Sequence, residues 1–224
     1  MKTIIIKSQK QFDKLPKSFD EMTYLDITKM DEIIVTIDRS CSILLAWGSS
    51  QPRVEARGSS QPRVEARESS QPTVVAWESS QPTVVAWESS QPRVEAWGSS
   101  QPRVEARESS QPTVVAWESS QPTVEARGSS QPRVEAWGSS QPRVEAWESA
   151  SIRILECLTD FLKVVLHGFS IAIFKADIKI NIEKKSKNAH IQKIGEMDWF
   201  EANSVDIEKD FVTLFKRVSK DWKT

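Results

Sequence analysis

The sequence predicts an all-β protein: a single-stranded β-solenoid (β-helix) with about 20 residues, two decapeptides, per coil, capped at both ends, with a small α or hairpin element at the C-terminus. Three observations carry this. Residues 51–150 are ten copies of QP(R/T)V(E/V)A(R/W)(G/E)SS, the last ending SA, and fixed-period self-similarity of this kind means a solenoid or an array. Ten of the eleven prolines fall once every ten residues, from Pro52 to Pro142, which would break a helix in every unit. Within each unit, R-V-E-A-W alternates large polar or aromatic residues with small apolar ones, the period of a half-buried strand and a pattern that disordered tracts lack.

Composition narrows the function classes. The 224 residues carry 30 basic and 31 acidic side chains, so the positive footprint of a nucleic-acid binder is missing. Two cysteines and two histidines exclude a disulfide-rich scaffold and leave little for a zinc site. No apolar run approaches the roughly 20 residues of a membrane span. The opening MKTIIIKSQKQF is too short in its apolar stretch for a signal peptide, so a soluble, cytoplasmic chain is expected. None of the seventeen lysines lies between Lys29 and Lys163, which separates a rod from its two ends.

Residues 1–46 read as an N-terminal cap. Lys2 to Ile6 suits an edge strand, and Gln11 to Leu15 a short helix stopped by Pro16. Thr23–Ile27, Ile33–Ile37 and Ile43–Trp47 then keep roughly ten-residue spacing with bulkier apolar residues, as degenerate coils would.

Residues 47–150 are the solenoid. Val54 and Ala56 must face inward, because burying Arg and Glu in every unit would cost far more than burying apolar groups gains. Pro52, without an N–H, fits a strand's first residue or a corner, and G/E-S-S-Q supplies the turn, its hydroxyls able to bond the backbone. The variable columns favour twenty residues per coil over ten. At ten, Arg53 would stack directly on Arg63 and Glu55 on Glu65. At twenty, one face reads Glu55, Val75, Glu95, Val115, Glu135, avoiding like charges on neighbouring strands. On the other face Glu65, Val85 and Glu105 alternate until Glu125 and Glu145 break the pattern. The same register gathers Trp77, Trp97, Trp117 and Trp137 into one stack above Arg57, whereas the opposite column mixes Arg67, Trp87, Arg107, Arg127 and Trp147. Stacked indoles and Arg–Trp pairs contribute about 0.5–1.5 kcal/mol each. Every toggling pair, such as Arg/Trp or Gly/Glu, differs by one base, as point changes in a recombining unit would leave them.

Residues 151–192 read as degenerate C-terminal coils, with strands near Ile152–Leu155, Leu162–Leu166, Ile171–Phe174 and Ile178–Ile182. The lysines from Lys184 to Lys187 suit a solvated turn or an edge gatekeeper. Cys41 and Cys157 read as small buried hydrophobes, and His167 and His190 as isolated. Residues 193–224 form the last cap segment. There Ile207, Phe211, Leu214, Phe215, Val218 and Trp222 have helical spacing, while Val205/Ile207 and Val212/Leu214 alternate as a hairpin would, so both forms stay open.

The opening IIIKSQKQFDKLPKSFDEMTYLDI, the VEARGSSQ and VEAWGSSQ units, and DWFEANSVDIEKDFVTLFKRVSKD together resemble uncharacterised decapeptide-repeat proteins of bacteria and their phages. The resemblance covers most of the chain. Similar proteins carry W-x-E-x-x-G-V-x-V-x-x-G near the C-terminus, which implies a hairpin, but Ser204 and Phe211 replace those glycines here. Similar proteins often continue into a further domain, whose activity is expected to be absent from a chain ending at Thr224. The resemblance implies an origin and a fold, and no chemistry.

Function is written less clearly than architecture. No nucleophile beside a base, Gly-rich phosphate loop, paired carboxylates outside the repeat or metal-ligand cluster stands out. The sequence therefore predicts no enzyme, no catalytic residue, no metal site and no cofactor; the repeat acids from Glu55 to Glu148 read as a solvated face. The leading expectation is a non-catalytic β-solenoid acting as scaffold, spacer or interaction rod, its length set by repeat number. The alternative is a ligand-binding module for a polysaccharide or protein, with Trp77, Trp97, Trp117 and Trp137 as the binding stripe. Ice binding ranks third, because Thr73, Thr83, Thr113 and Thr123 are interrupted by charges; nucleic-acid mimicry ranks fourth, because Arg and Glu balance. The expected partner is a protein or glycan, with no nucleic acid and no membrane. The expected state is a monomer or a weak end-to-end or side-by-side dimer.

Overall fold

Each decapeptide supplies one four-residue strand, because its third to sixth residues alternate and its proline and serines bend the chain on either side. A computed structural model describes residues 2–16, 23–28, 34–37, 43–157, 162–175 and 180–194. The N-terminal elements are β1 (Lys2–Ile5), α1 (Gln9–Asp13), β2 (Thr23–Asp26), β3 (Ile34–Ile37) and β4 (Ile43–Ala46). The repeats give β5 (Arg53–Ala56), β6 (Arg63–Ala66) and so on at ten-residue steps to β14 (Arg143–Ala146). Five strands follow: β15 (Ser151–Cys157), β16 (Lys163–Leu166), β17 (Ile171–Lys175), β18 (Asn181–Lys184) and β19 (His190–Ile194).

Successive strands alternate between two parallel sheets. One has ten strands, β1 and then the even-numbered strands to β18; the other has nine, the odd-numbered strands from β3 to β19. Arg53 pairs with Thr73 and Val54 with Val74, so one coil is two decapeptides, as the alternating columns predict.

The interior is a set of stacked identical columns. Val54, Ala56 and their equivalents in every unit are fully buried, and a buried Val contributes about 1.5–3 kcal/mol. Pro52 is buried just before β5; it donates nothing, but its carbonyl accepts the Thr73 N–H at 2.9 Å, so the ladder continues past it. At each corner the residue after Trp or Arg takes a left-handed backbone, φ +57 to +59 at Glu78, Glu88 and Glu148 and +63 to +66 at Gly58 and Gly98. The following serine N–H closes the turn, as in Ser80 N to Trp77 O at 3.1 Å.

Both ends depart from strict repetition. The helix α1 begins two residues before the expected Gln11 and ends at Asp13, because the Ser8 hydroxyl caps it by accepting the Gln11 N–H at 3.2 Å. Its Phe12 packs with Ile6, Leu25 and Ile27, closing the narrow core with larger side chains than Val and Ala. Downstream, a bulge places Glu156 rather than Leu155 opposite Glu135, ending the regular register. Of the strand expected at Ile178–Ile182, residues 178 and 179 lie outside the described set, and the described strand runs over Asn181–Lys184. The strand His190–Ile194, not expected from the repeat spacing, pairs with β17. Cys157 is half-buried against the core, not fully enclosed. Cys41 and the helix or hairpin expected at 204–222 lie outside the described residues.

Candidate functional site

The only outward side chains that differ from unit to unit sit at four positions of the repeat, and each forms a ladder running along the rod. The seventh position follows directly on the strand. Its N–H bonds the coil below, as in Trp77 N to Ala56 O at 2.9 Å, so its side chain is set at the sheet edge with a fixed rise. On the odd-numbered sheet this brings together all four tryptophans expected to stack. Ring centroids lie 5.5 Å apart for Trp77–Trp97, 5.1 Å for Trp97–Trp117 and 5.2 Å for Trp117–Trp137, with planes within 12–19°. Each inner indole therefore has a neighbouring indole on both faces.

The opposite column extends further than the sequence reading took it. Arg67 lies over Trp47 at 5.1 Å, Arg107 over Trp87 at 4.5 Å and Arg127 over Trp147 at 5.9 Å. His167, read above as isolated, stacks on Trp147 with centroids 3.6 Å apart and planes 3° apart. The signal was present: Trp47 and His167 each lie twenty residues from a member of the column, Arg67 and Trp147.

The fifth position is not the solvated face expected of it. Glu55 and Glu65 are only 8% and 6% exposed, and Val75, Val85 and Val115 are enclosed although they point outward. Two arginines of the same decapeptide clamp each of the early glutamates. Arg57 approaches Glu55 at 2.7 Å and Arg53 at 3.4 Å; Arg67 and Arg63 hold Glu65 at 2.8 and 3.2 Å. The hydrogen bond from Arg57 holds the Glu55 carboxyl below the ordinary glutamate value, against the opposing effect of burial. At Glu105 burial pushes upward, but hydrogen bonds from Arg107 and Arg103 outweigh it and the carboxyl again lies low. The register does place Glu105, Glu125 and Glu145 side by side. Arg103 relieves that run by reaching across the ladder to Glu125 at 2.5 Å, while Arg127 approaches the same carboxylate at 3.5 Å.

The corner position supplies a fourth ladder that the sequence reading missed. Glu78 accepts the Gly58 N–H at 3.0 Å, Glu88 that of Glu68 at 3.0 Å, Glu118 that of Gly98 at 2.9 Å, and Glu148 that of Gly128 at 2.8 Å. Each carboxylate thus fastens its corner to the one a coil below. Only the twenty-residue register puts these residues together, so the Gly/Glu toggle looks arbitrary along the chain.

Chemically, these ladders offer aromatic edges and carboxylates engaged with arginines or backbone amides. Among the described residues no group of three or more His, Cys, Asp or Glu side chains could hold a metal ion, and no helix is long and apolar enough to cross a membrane. Fold and surface together define a tandem-repeat β-solenoid with two parallel sheets and self-complementary outward ladders. Comparison with protein-family models, curated proteins and solved structures gives no match.

Proposed function

We propose that the protein acts as a rigid, non-catalytic rod, a scaffold or spacer whose repeat number sets a distance. The observation that supports this best is the indole ladder. With Trp97 and Trp117 sandwiched at 5.1–5.5 Å on either side, a sugar ring cannot stack on their faces, and their binding capacity is spent on the neighbouring coil. The Arg–Glu clamps and corner glutamates act in the same sense, each joining groups of one decapeptide or of adjacent coils. Such contacts stiffen a quasi-one-dimensional stack, in which stability is a sum of unit and nearest-neighbour contributions.

The test is length. Removing residues 81–100, one complete coil, should shorten the rod by about 4.8 Å in solution scattering while leaving the circular dichroism per residue unchanged. Removal of two coils should double the shortening. A rod whose dimensions do not track coil number would refute the spacer reading. A ligand lost on Trp97→Ala and Trp117→Ala, with folding intact, would favour the aromatic stripe as a binding surface instead.

A further inference from the structure

The last serine of each repeat points into the rod and is enclosed: Ser70, Ser80, Ser90, Ser100, Ser120 and Ser130 are 0% exposed. Their hydroxyl oxygens are buried and have no hydrogen-bond partner within the protein. Leaving a buried hydroxyl unpaired costs roughly 1–3 kcal/mol. That penalty would recur in coil after coil of a structure that otherwise satisfies its backbone. Ser110 differs, its oxygen accepting the Arg107 N–H at 3.0 Å.

The register makes two files of these hydroxyls. The carbonyls of Ser50, Ser70 and Ser90 accept the N–H groups of Gln71, Gln91 and Gln111 at 2.9–3.0 Å, so serines twenty residues apart lie directly above one another. Ser60, Ser80, Ser100 and Ser120 do the same at the other corner. Successive hydroxyls are then one strand spacing apart, about 4.8 Å, too far for a direct bond of about 2.8 Å. An oxygen placed between two of them at about 2.8 Å from each subtends about 118°, near the tetrahedral angle at which water bonds. Each corner serine is enclosed between the small inward Ala56 or its equivalent on the strand before it and the buried Pro62 or its equivalent after it.

We propose that each corner encloses a single file of water molecules, one between each pair of successive serines, so that two hydroxyl–water chains run inside the rod. Each hydroxyl donates one hydrogen bond and accepts one, and each water does likewise, so every link satisfies its neighbour. At one corner the file ends where Ala150 takes the serine position between Ser130 and Ser170. A methyl replaces the hydroxyl there at the end of the exact repeat.

Oxygen-17 magnetic relaxation dispersion on the full chain tests this by counting long-lived internal waters. A dispersion is expected whose amplitude falls by about two waters when residues 81–100 are removed, since each coil contributes one water to each file. Absence of a dispersion, or an amplitude indifferent to coil number, overturns the proposal. Ser90→Ala and Ser100→Ala give an independent reading. A hydrated file predicts that each variant lowers the denaturation midpoint, because two waters lose a partner. A dry interior predicts a raised midpoint, because an orphan hydroxyl is removed, and that result also overturns the proposal. Should a variant fail to fold, the dispersion of the unmodified chain still decides.

Discussion

The indole ladder predicts a pattern of energetic coupling that depends on position. Trp97 and Trp117 are stacked on each other with centroids 5.1 Å apart and planes 12° apart, whereas Trp77 and Trp137 are separated by both of them. Replacing a single tryptophan by alanine removes burial, stacking and strand preference together, so single variants cannot isolate the stack. A double-mutant cycle can. For the pair Trp97→Ala and Trp117→Ala, the coupling should equal one stacked contact, about 0.5–1.5 kcal/mol. For Trp77→Ala and Trp137→Ala it should vanish within about 0.3–0.5 kcal/mol, the usual additivity of distant sites. Single losses should also rank by neighbours: Trp117→Ala breaks two stacks, about 1–3 kcal/mol, and Trp77→Ala one, about 0.5–1.5 kcal/mol. Urea denaturation followed by circular dichroism measures the four single and two double variants. Additivity in the adjacent pair, or equal coupling in the two pairs, would show that the indoles merely sit beside one another and contribute nothing as a ladder.

Three further outcomes follow from the other columns. Glu78 holds a left-handed backbone at φ +58 and accepts the Gly58 N–H, so Glu78→Ala should keep the strain and lose the bond, costing about 0.5–1.5 kcal/mol. Glu78→Gly relieves that strain and should cost less; the reverse order in thermal melts would contradict the corner assignment. The folded pKa values of Glu55 and Glu105 are depressed, so their stabilisation is present above the ordinary glutamate value of 4.5 and is lost as pH falls through the lower folded value. Melting temperature should therefore drop on acidification below pH 4.5, and replacing Arg57 and Arg107 by Leu should flatten that drop; an unchanged acid slope counts against the clamps. Val115 is enclosed between Glu95 and Glu135, flanked by Thr113 and Trp117 with no arginine on its strand, so Val115→Glu should destabilise by about 1–3 kcal/mol. Adding Thr113→Arg should recover part of the loss, as Arg93 does for Glu95 at 2.8 Å, and no recovery would argue against pairing as the governing effect.

Most of the rod was legible because its inward columns are invariant and its outward columns alternate. Val54 and Ala56 declare the buried face by their chemistry alone, and Glu55 against Val75 declares the coil length by charge. What escaped reading depends on side chains that meet in space, from two residues away at Glu55 and from twenty residues away at Glu78. The burial of Glu55 comes from arginines folding over it on both sides, which residue type does not reveal. The role of Glu78 comes from the amide of Gly58 beneath it. The cap strands up to β17 were legible, and only the last two escaped, for a different reason: the spacing there drifts. Lys163 pairs with Asn181 and Ile171 with His190, eighteen and nineteen residues apart, so extrapolating the period misplaces β18 and omits β19.

The contrast between constant interior and alternating exterior constrains how the rod can change length. The interior is indifferent to the loss of a single decapeptide, because Val meets Val, Ala meets Ala and Ser meets Ser in any case. The exterior is not. Removing residues 91–100 would send every later unit to the opposite sheet, placing Arg107 and then Arg127 above Trp77, where Trp97 and Trp117 now stand. Trp117 and Trp137 would move at the same time onto Trp87, so the four-indole ladder would break into Trp77 alone and a three-indole run on the other sheet. Glu105, Glu125 and Glu145 would move above Val75, and the C-terminal coils would meet the rod half a coil out of phase. Removing 91–110 instead sets Trp117 on Trp77, keeps Trp137 above it, and leaves both caps in phase. The larger deletion removes twice the core and should nonetheless leave the more stable protein. If the ten-residue deletion melts higher, the core alone governs the rod, and neither the outward columns nor the phase of the C-terminal coils carries a meaningful share of its stability.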